Sequence, residues 1–251
     1  MGLESEDVRL PESLVAALRD ARSVAVLTGS GVSAESGVPT FREAQIGLWA
    51  RFDPQELATP EAFARDPRLV WEWYTWRREL VDAAAPNPAH EALAEIERHV
   101  PQFALITQNV DGLHRRAGSQ NVVELHGNIR RSKCSREDVI LEPHEDDADV
   151  PPPCPRCGAF LRPDVVWFGE ALPADAMAEA FDAARTCDLF ISAGTSGLVQ
   201  PAASLPFEAL DAGAVVVEVN PGDTPLTWRA DYALRGLAGE VLPALVKAAY
   251  G

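Results

Sequence analysis

No apolar run in this 251-residue chain approaches the roughly 20 residues needed to cross a bilayer, so no membrane-spanning helix and no membrane partner are expected. The N-terminus, MGLESEDVRL, lacks the basic and apolar regions of a secretion signal, which makes the cytoplasm the expected location. Positive charge is scarce: 22 Lys and Arg stand against 38 Asp and Glu, a formal net charge of −16. Nucleic-acid binding relies on Lys and Arg at phosphates, so no nucleic-acid partner is expected. The acidic balance suits solubility, and it also suits basic protein segments such as exposed lysines. Cysteine is sparse as well, at Cys134, Cys154, Cys157 and Cys187, and a disulfide framework is not expected in such a chain. Three of the four fall within residues 128–165 together with six prolines, where periodicity is poor. That stretch reads as a small excursion, either metal-stapled or loop-rich, whereas Cys187 precedes an apolar run and reads as a core thiol.

Against these absences stands Val24–Arg42, reading VAVLTGSGVSAESGVPTFR. An apolar β-branched run breaks at Gly29 and Gly31 and passes into a helix start, the usual cradle for a pyrophosphate. One further absence limits its meaning. No strand ending in an acidic residue arrives about 20 residues later, where hydride-transfer enzymes hold the ribose, so the ordinary dehydrogenase layout is disfavoured. Apolar runs at Phe103–Thr107, Asn121–Leu125, Asp188–Ala193 and Val215–Val219 read as strands. Helical patterns occupy 11–22, two or three short stretches of 54–85, then 89–99, 174–185, 202–212 and 240–250. Strands alternating with helices predict an α/β fold built on a parallel sheet. Polar clusters follow the strands at Gln108-Asn109-Val110-Asp111, His126-Gly127, Gly194-Thr195-Ser196 and Asn220-Pro221-Gly222. Ligands of doubly wound sheets bind at that edge. Asn87 and His90 read as capping and packing residues, and His114 as structural.

With these pieces in order, the sequence resembles the sirtuin family of NAD-dependent protein deacylases. The resemblance rests on TGSGVSAESGVPTFR (28–42), TQNVDGLHRRAG (107–118), ELHG (124–127), RPDVVWFGE (162–170), SAGTS (192–196) and VEVN (217–220). It implies a Rossmann-like doubly wound parallel sheet with a small inserted, zinc-type domain. The large domain would take about 10–40, 88–127 and 166–251, and the small one about 41–87 and 128–165. NAD would be a co-substrate: the amide oxygen of acyl-lysine attacks the nicotinamide ribose, nicotinamide leaves, and the acyl group ends on ADP-ribose. Acyl-lysine segments of proteins would be the partners, and a monomer the expected state.

By the same resemblance, His126 is the catalytic base, with Asn109 and Asp111 beside it. Gln108, Asn109, Val110 and Asp111 hold nicotinamide and its ribose. Gly29, Ser30, Gly31 and Glu35 surround the phosphates, and Ser30 stands where the family more often has alanine. Phe41 and Arg42 belong to a loop covering the reacting ribose. Gly194, Thr195 and Ser196 give a second phosphate and ribose contact; Asn220, Pro221 and Gly222 face the adenosine; Ala238 is an adenine-side backbone contact. Val166, Trp167, Phe168, Gly169 and Glu170 are read as pairing with the substrate backbone as an added strand. Tyr74 and Arg77 are similar to the Tyr-x-x-Arg pair of the class III branch of bacteria and archaea, which recognises the carboxylate of malonyl- or succinyl-lysine. That implies a desuccinylase and demalonylase with weaker deacetylase activity. The alternatives are a plain deacetylase and a non-catalytic sensor of NAD or ADP-ribose. The family's zinc site is two C-x-x-C pairs, and here only Cys154 and Cys157 make one. Cys134 has Glu137 three places on, so Glu137 or His144 completes the site, or the metal is lost.

Overall fold

The computed structural model describes residues 10–39, 57–141 and 150–251. Six short apolar segments form one all-parallel sheet: β1 (Ser23–Thr28), β2 (Gln102–Thr107), β3 (Val122–Glu124), β7 (Leu189–Ala193), β8 (Val215–Val219) and β9 (Tyr232–Leu234). Their order is β3-β2-β1-β7-β8-β9, so the direction of winding reverses between β1 and β7. This is the doubly wound arrangement, and the crevice at such a reversal is where ligands bind. β1 lies at the centre, buried from Val24 through Thr28, which explains its unbroken apolar run.

Alternate residues of each strand supply the two faces. Val24 and Val26 pack under α1 (Glu12–Asp20), α5 (Pro88–His99) and α9 (Ala238–Tyr250), through Leu14, Leu93, Ile96 and Leu245. Ala25 and Leu27 face α7 (Ala174–Thr186) and α8 (Leu205–Ala212), through Ala180, Ala184 and Leu205. Cys187 joins this second face, and burial pushes its thiol up to about 11.

The remaining described elements form a smaller body. A three-stranded antiparallel sheet has the order β5 (Ile140–Leu141), β4 (Gly127–Cys134), β6 (Leu161–Val165). Beside it lie α3 (Pro60–Arg65) and the 17-residue α4 (Pro67–Ala83), sharing a core of Phe63, Val70, Trp73, Tyr74, Ile129 and Trp167. Asp66 starts α4 by accepting from the Leu69 N–H, with Pro67 in the first turn. One long helix therefore replaces part of the two or three short ones expected over 54–85. Neither the small sheet nor β9 was expected: β5 and β9, at two and three residues, carry too little periodicity to read, and β4 (GNIRRSKC) and β6 (LRPDV) lack the apolar run that marks the other strands. The short turns α2 (Ser30–Ala34) and α6 (Leu113–Arg116) complete the described elements that shape the site.

Candidate active site

Because the sheet is parallel, Gly29, Gln108, Leu125, Gly194 and Asn220 all leave it at one edge, after β1, β2, β3, β7 and β8. At the β1–β7 reversal the two glycine turns lock together. The Gly29 N–H donates to the Ala193 carbonyl at 3.1 Å and the Gly31 N–H to the Gly194 carbonyl at 2.9 Å. A Cβ on Gly29 would stand 2.7 Å from the Gly194 oxygen, and one on Gly194 only 2.5 Å from the Val32 nitrogen. The glycines thus serve first to let two turns touch, and the resulting bare backbone forms a cradle in which a dinucleotide's phosphates fit. Gln108 and Asn220 close the rim: the Gln108 amide donates to the Thr195 hydroxyl at 3.0 Å, and Asn220 Nδ2 to the Thr195 carbonyl at 2.9 Å. Ser30, Ser196, Pro221 and Gly222 are exposed around it.

Beneath the cradle lies a buried polar network. Asn109 Nδ2 donates to the Gly29 carbonyl at 3.0 Å and to Ser33 Oγ at 3.1 Å; Ser33 in turn donates to Asp111 Oδ2 at 2.8 Å. The Leu113 N–H fixes the other Asp111 oxygen at 2.8 Å. Burial pushes the Asp111 carboxyl above its ordinary range, against the hydrogen bonds from Leu113 and Ser33. Ser33 is absent from the site read in the sequence. Its place in the glycine motif was visible, but on so short a helix spacing does not fix which way the side chain faces. Asn87 and His90 form a capping box at the start of α5, and Asn87 Nδ2 holds the Val32 carbonyl at 2.7 Å. His114 is buried against Thr28 Oγ1 at 2.9 Å. Burial brings His90 down to about 4 and His114 to about 3, so both are neutral structural groups.

His126 stands on the passage from β3 to β4, between the two sheets. Its Nδ1 lies 3.1 Å from the Gln108 carbonyl oxygen. A carbonyl only accepts, so Nδ1 carries the proton and Nε2 keeps a free lone pair. Burial lowers the pKa of His126, partly opposed by that bond, which favours the neutral ring. Among the histidines of the described residues, His126 alone joins an open sheet edge to a fixed tautomer suited to general-base work.

Tyr74 and Arg77 lie on one side of α4. The Arg77 guanidinium carbon is 4.9 Å from the centre of the Trp73 ring and 5.6 Å from that of Tyr74. Burial lowers the Arg77 pKa, opposed by Tyr74 and then by the Asp111 carboxylate. Arg77 also lines a small cleft with Val38, Pro39, Leu80 and Val81, beside the segment that leaves the glycine turn.

Two sequence readings need correction. Val166–Glu170 is not a strand: β6 ends at Val165, and the Glu170 N–H donates to the Trp167 carbonyl at 3.0 Å, closing a turn with Gly169 at φ +88°. The N–H groups of Val166, Trp167, Phe168 and Glu170 are engaged by His126 O, Glu170 Oε2, Ala58 O and Trp167 O. Only Phe168 and Gly169 of this segment are exposed, so an added strand would have to use its carbonyls and the Gly169 N–H. Glu35 also turns away from the phosphate cradle: its Oε2 accepts from the Gly239 N–H at 2.9 Å and so caps α9. Ala238, the residue before, is buried in the core. Phe41, Arg42 and His144 lie outside the described residues.

The small body also gathers Cys134, Glu137, Cys154 and Cys157, whose ligand atoms all lie within 4.8 Å of one another. The sulfurs of Cys134 and Cys157 are 3.4 Å apart, and Glu137 Oε2 pairs with Arg156 at 2.9 Å, which leaves its second oxygen for a metal. Three thiols and a carboxylate in this spacing fit a tetrahedral zinc ion, held as a structural staple between β4 and the Cys154–Cys157 loop. The protein is expected to purify with about one zinc per chain by elemental analysis, and Glu137→Ala to lose that zinc to a chelator far sooner. Equal retention by both would remove Glu137 from the ligand set.

The model of the Sir2 family matches residues 29–201. An NAD-dependent protein deacylase of Aeropyrum pernix is 54% identical over 231 residues, covering 92% of this chain and 94% of the relative. A crystal structure of a Sir2 homolog–NAD complex aligns with TM-score 0.90 at 49% identity, over 98% of this chain and 96% of the other. A Sir2 protein bound to acetylated peptide aligns with TM-score 0.83 at 31% identity, over 95% of this chain and 98% of the other.

Proposed function

The chain belongs to the Sir2 family, and from that premise we propose that it removes succinyl and malonyl groups from protein lysines, and acetyl groups more weakly. It is an NAD-dependent protein deacylase, as its relatives' shared name and the matching crevice support. The observation that carries the finer reading is the placement of Tyr74 and Arg77 side by side on α4, with Arg77 lining a cleft next to Val38 and Pro39. An arginine fork holds a carboxylate bidentately, and a tyrosine hydroxyl adds a directed bond. An acetyl group offers neither partner.

Bound in the crevice, NAD supplies an electrophilic ribose carbon with nicotinamide as leaving group. The residues around it would orient and protect that centre. Gly29, Gly31 and Gly194 present backbone to the phosphates. Asn109 and Asp111, immobilised by Ser33 and the Leu113 N–H, are fixed partners for the nicotinamide amide and the sugar hydroxyls. His126, neutral and with Nε2 unprotonated, takes the proton from a ribose hydroxyl as that oxygen turns nucleophilic. The substrate peptide would meet the exposed segment at Phe168 and Gly169, through main-chain bonds that read little side-chain sequence.

The test is NAD-dependent turnover of succinyl-, malonyl- and acetyl-lysine versions of one peptide. Arg77→Met is expected to lower succinyl kcat/KM by more than about tenfold while the acetyl reaction changes far less. Equal losses on both would refute the preference.

A further inference from the structure

The Trp167 backbone belongs to the turn at Val166–Glu170. Its side chain does something else. The indole is buried, and its Nε1 lies 3.0 Å from the Tyr74 hydroxyl oxygen. An indole N–H can only donate, so Trp167 donates and Tyr74 accepts. A phenol has one proton, and this bond does not use it. The proton is therefore left for an acceptor on another side of the oxygen.

Trp167 is itself held firmly. The Arg162 guanidinium carbon sits 3.3 Å from the ring centre. Arg162 pairs with Glu170 through two bonds, at 2.5 and 2.8 Å, and Glu170 Oε2 also accepts the Trp167 N–H at 2.8 Å. Phe63 packs on the indole at 5.3 Å between ring centres. The turn at Val166–Glu170 thus reaches, through one indole, to the hydroxyl read here as touching the acyl chain.

We propose that Trp167 is a positioning residue for acyl specificity: its indole N–H sets the Tyr74 hydroxyl as a donor toward the terminal carboxylate of a dicarboxylic acyl-lysine. The proposal rests on the reading of Tyr74 and Arg77 given above. A carboxylate only accepts, so a tyrosine that spent its proton on a neighbour would face it with lone pairs and repel it. An indole prevents that, because it has nothing to accept with. An acetyl group lacks the carboxylate, so the effect is confined to acidic acyl chains.

The experiment measures kcat and KM on succinyl- and acetyl-lysine versions of one peptide for the wild type, Trp167→Phe, Tyr74→Phe, the double variant and Arg77→Met. Trp167→Phe is expected to lower the succinyl-to-acetyl ratio of kcat/KM roughly five- to tenfold, mainly through succinyl KM. It should lower the ratio no further in the Tyr74→Phe background, since the hydroxyl through which it acts is gone. An unchanged ratio in Trp167→Phe, or the same further drop in the Tyr74→Phe background, overturns the proposal. If Arg77→Met still collapses the ratio in that case, the acyl preference itself stands. If Arg77→Met and Tyr74→Phe both leave the ratio unchanged, the acyl preference fails and the proposal with it. Should Trp167→Phe fold poorly, replacement by benzothienylalanine keeps the bicyclic shape without the N–H, and the same outcomes decide.

Discussion

His126→Ala is expected to lower kcat by about 10²- to 10⁴-fold, the usual contribution of a positioned general base, while the protein stays folded and still binds NAD. Among the described residues the side chain has one hydrogen-bond partner, the Gln108 carbonyl, and joins no buried apolar cluster, so its loss removes chemistry rather than support. A pH profile separates the two roles. The active form is the neutral ring, and burial places its pKa below the ordinary 6.5. As pH falls, kcat/KM should hold through 6.5 and drop only below it, and the residual activity of His126→Ala should lack that limb. A residual rate within threefold of wild type would assign the base elsewhere.

Gly194→Ala is expected to destabilise the protein by about 2–4 kcal/mol, which in a chain of this size lowers Tm by roughly 5–15 °C. Two physical causes combine. The residue sits at φ +59°, where an alanine is strained, and its Cβ would press on the Val32 nitrogen and the Gly31 carbonyl carbon, both backbone atoms that cannot swing aside. Because the displaced atoms belong to the turn that faces the phosphates, NAD affinity should fall together with Tm. A Tm shift under 2 °C in thermal denaturation would mean that the two turns part freely.

The residues that carry these effects were legible to different degrees. The central strands and the four polar clusters at their ends, His126 among them, could be read directly, because a buried parallel strand needs an unbroken apolar run and its ligands gather at one edge. Asn87, His90, His114 and Cys187 were correctly read as structural, since caps and apolar flanks are local features. What sequence hid was side-chain direction. Glu35 lies in the glycine motif yet reaches 204 residues along the chain to cap α9. Ser33 lies in the same motif and turns inward to Asp111. Val165–Glu170 is β-prone in composition, but Gly169 and the Glu170 carboxylate fold its second half into a turn. Glu137 was readable as one candidate for a fourth ligand beside His144, and the closing of the β4 end against the Cys154–Cys157 loop is what brings its carboxylate to the three sulfurs.

The pairing of β1 with β7 has a consequence for how the molecule is made. Ser23, which opens β1, bonds to Asp188, 165 positions later. The crevice between these strands has one wall from the first seventh of the chain and the other from its last quarter. About three quarters of the polypeptide must therefore emerge from the ribosome before the cradle has two sides. Contacts of such span close slowly, and until they do the central strand offers a bare apolar edge to any neighbour. Partly synthesised chains are thus the form most exposed to aggregation and to chaperones, and nucleotide binding becomes possible only near the end of translation.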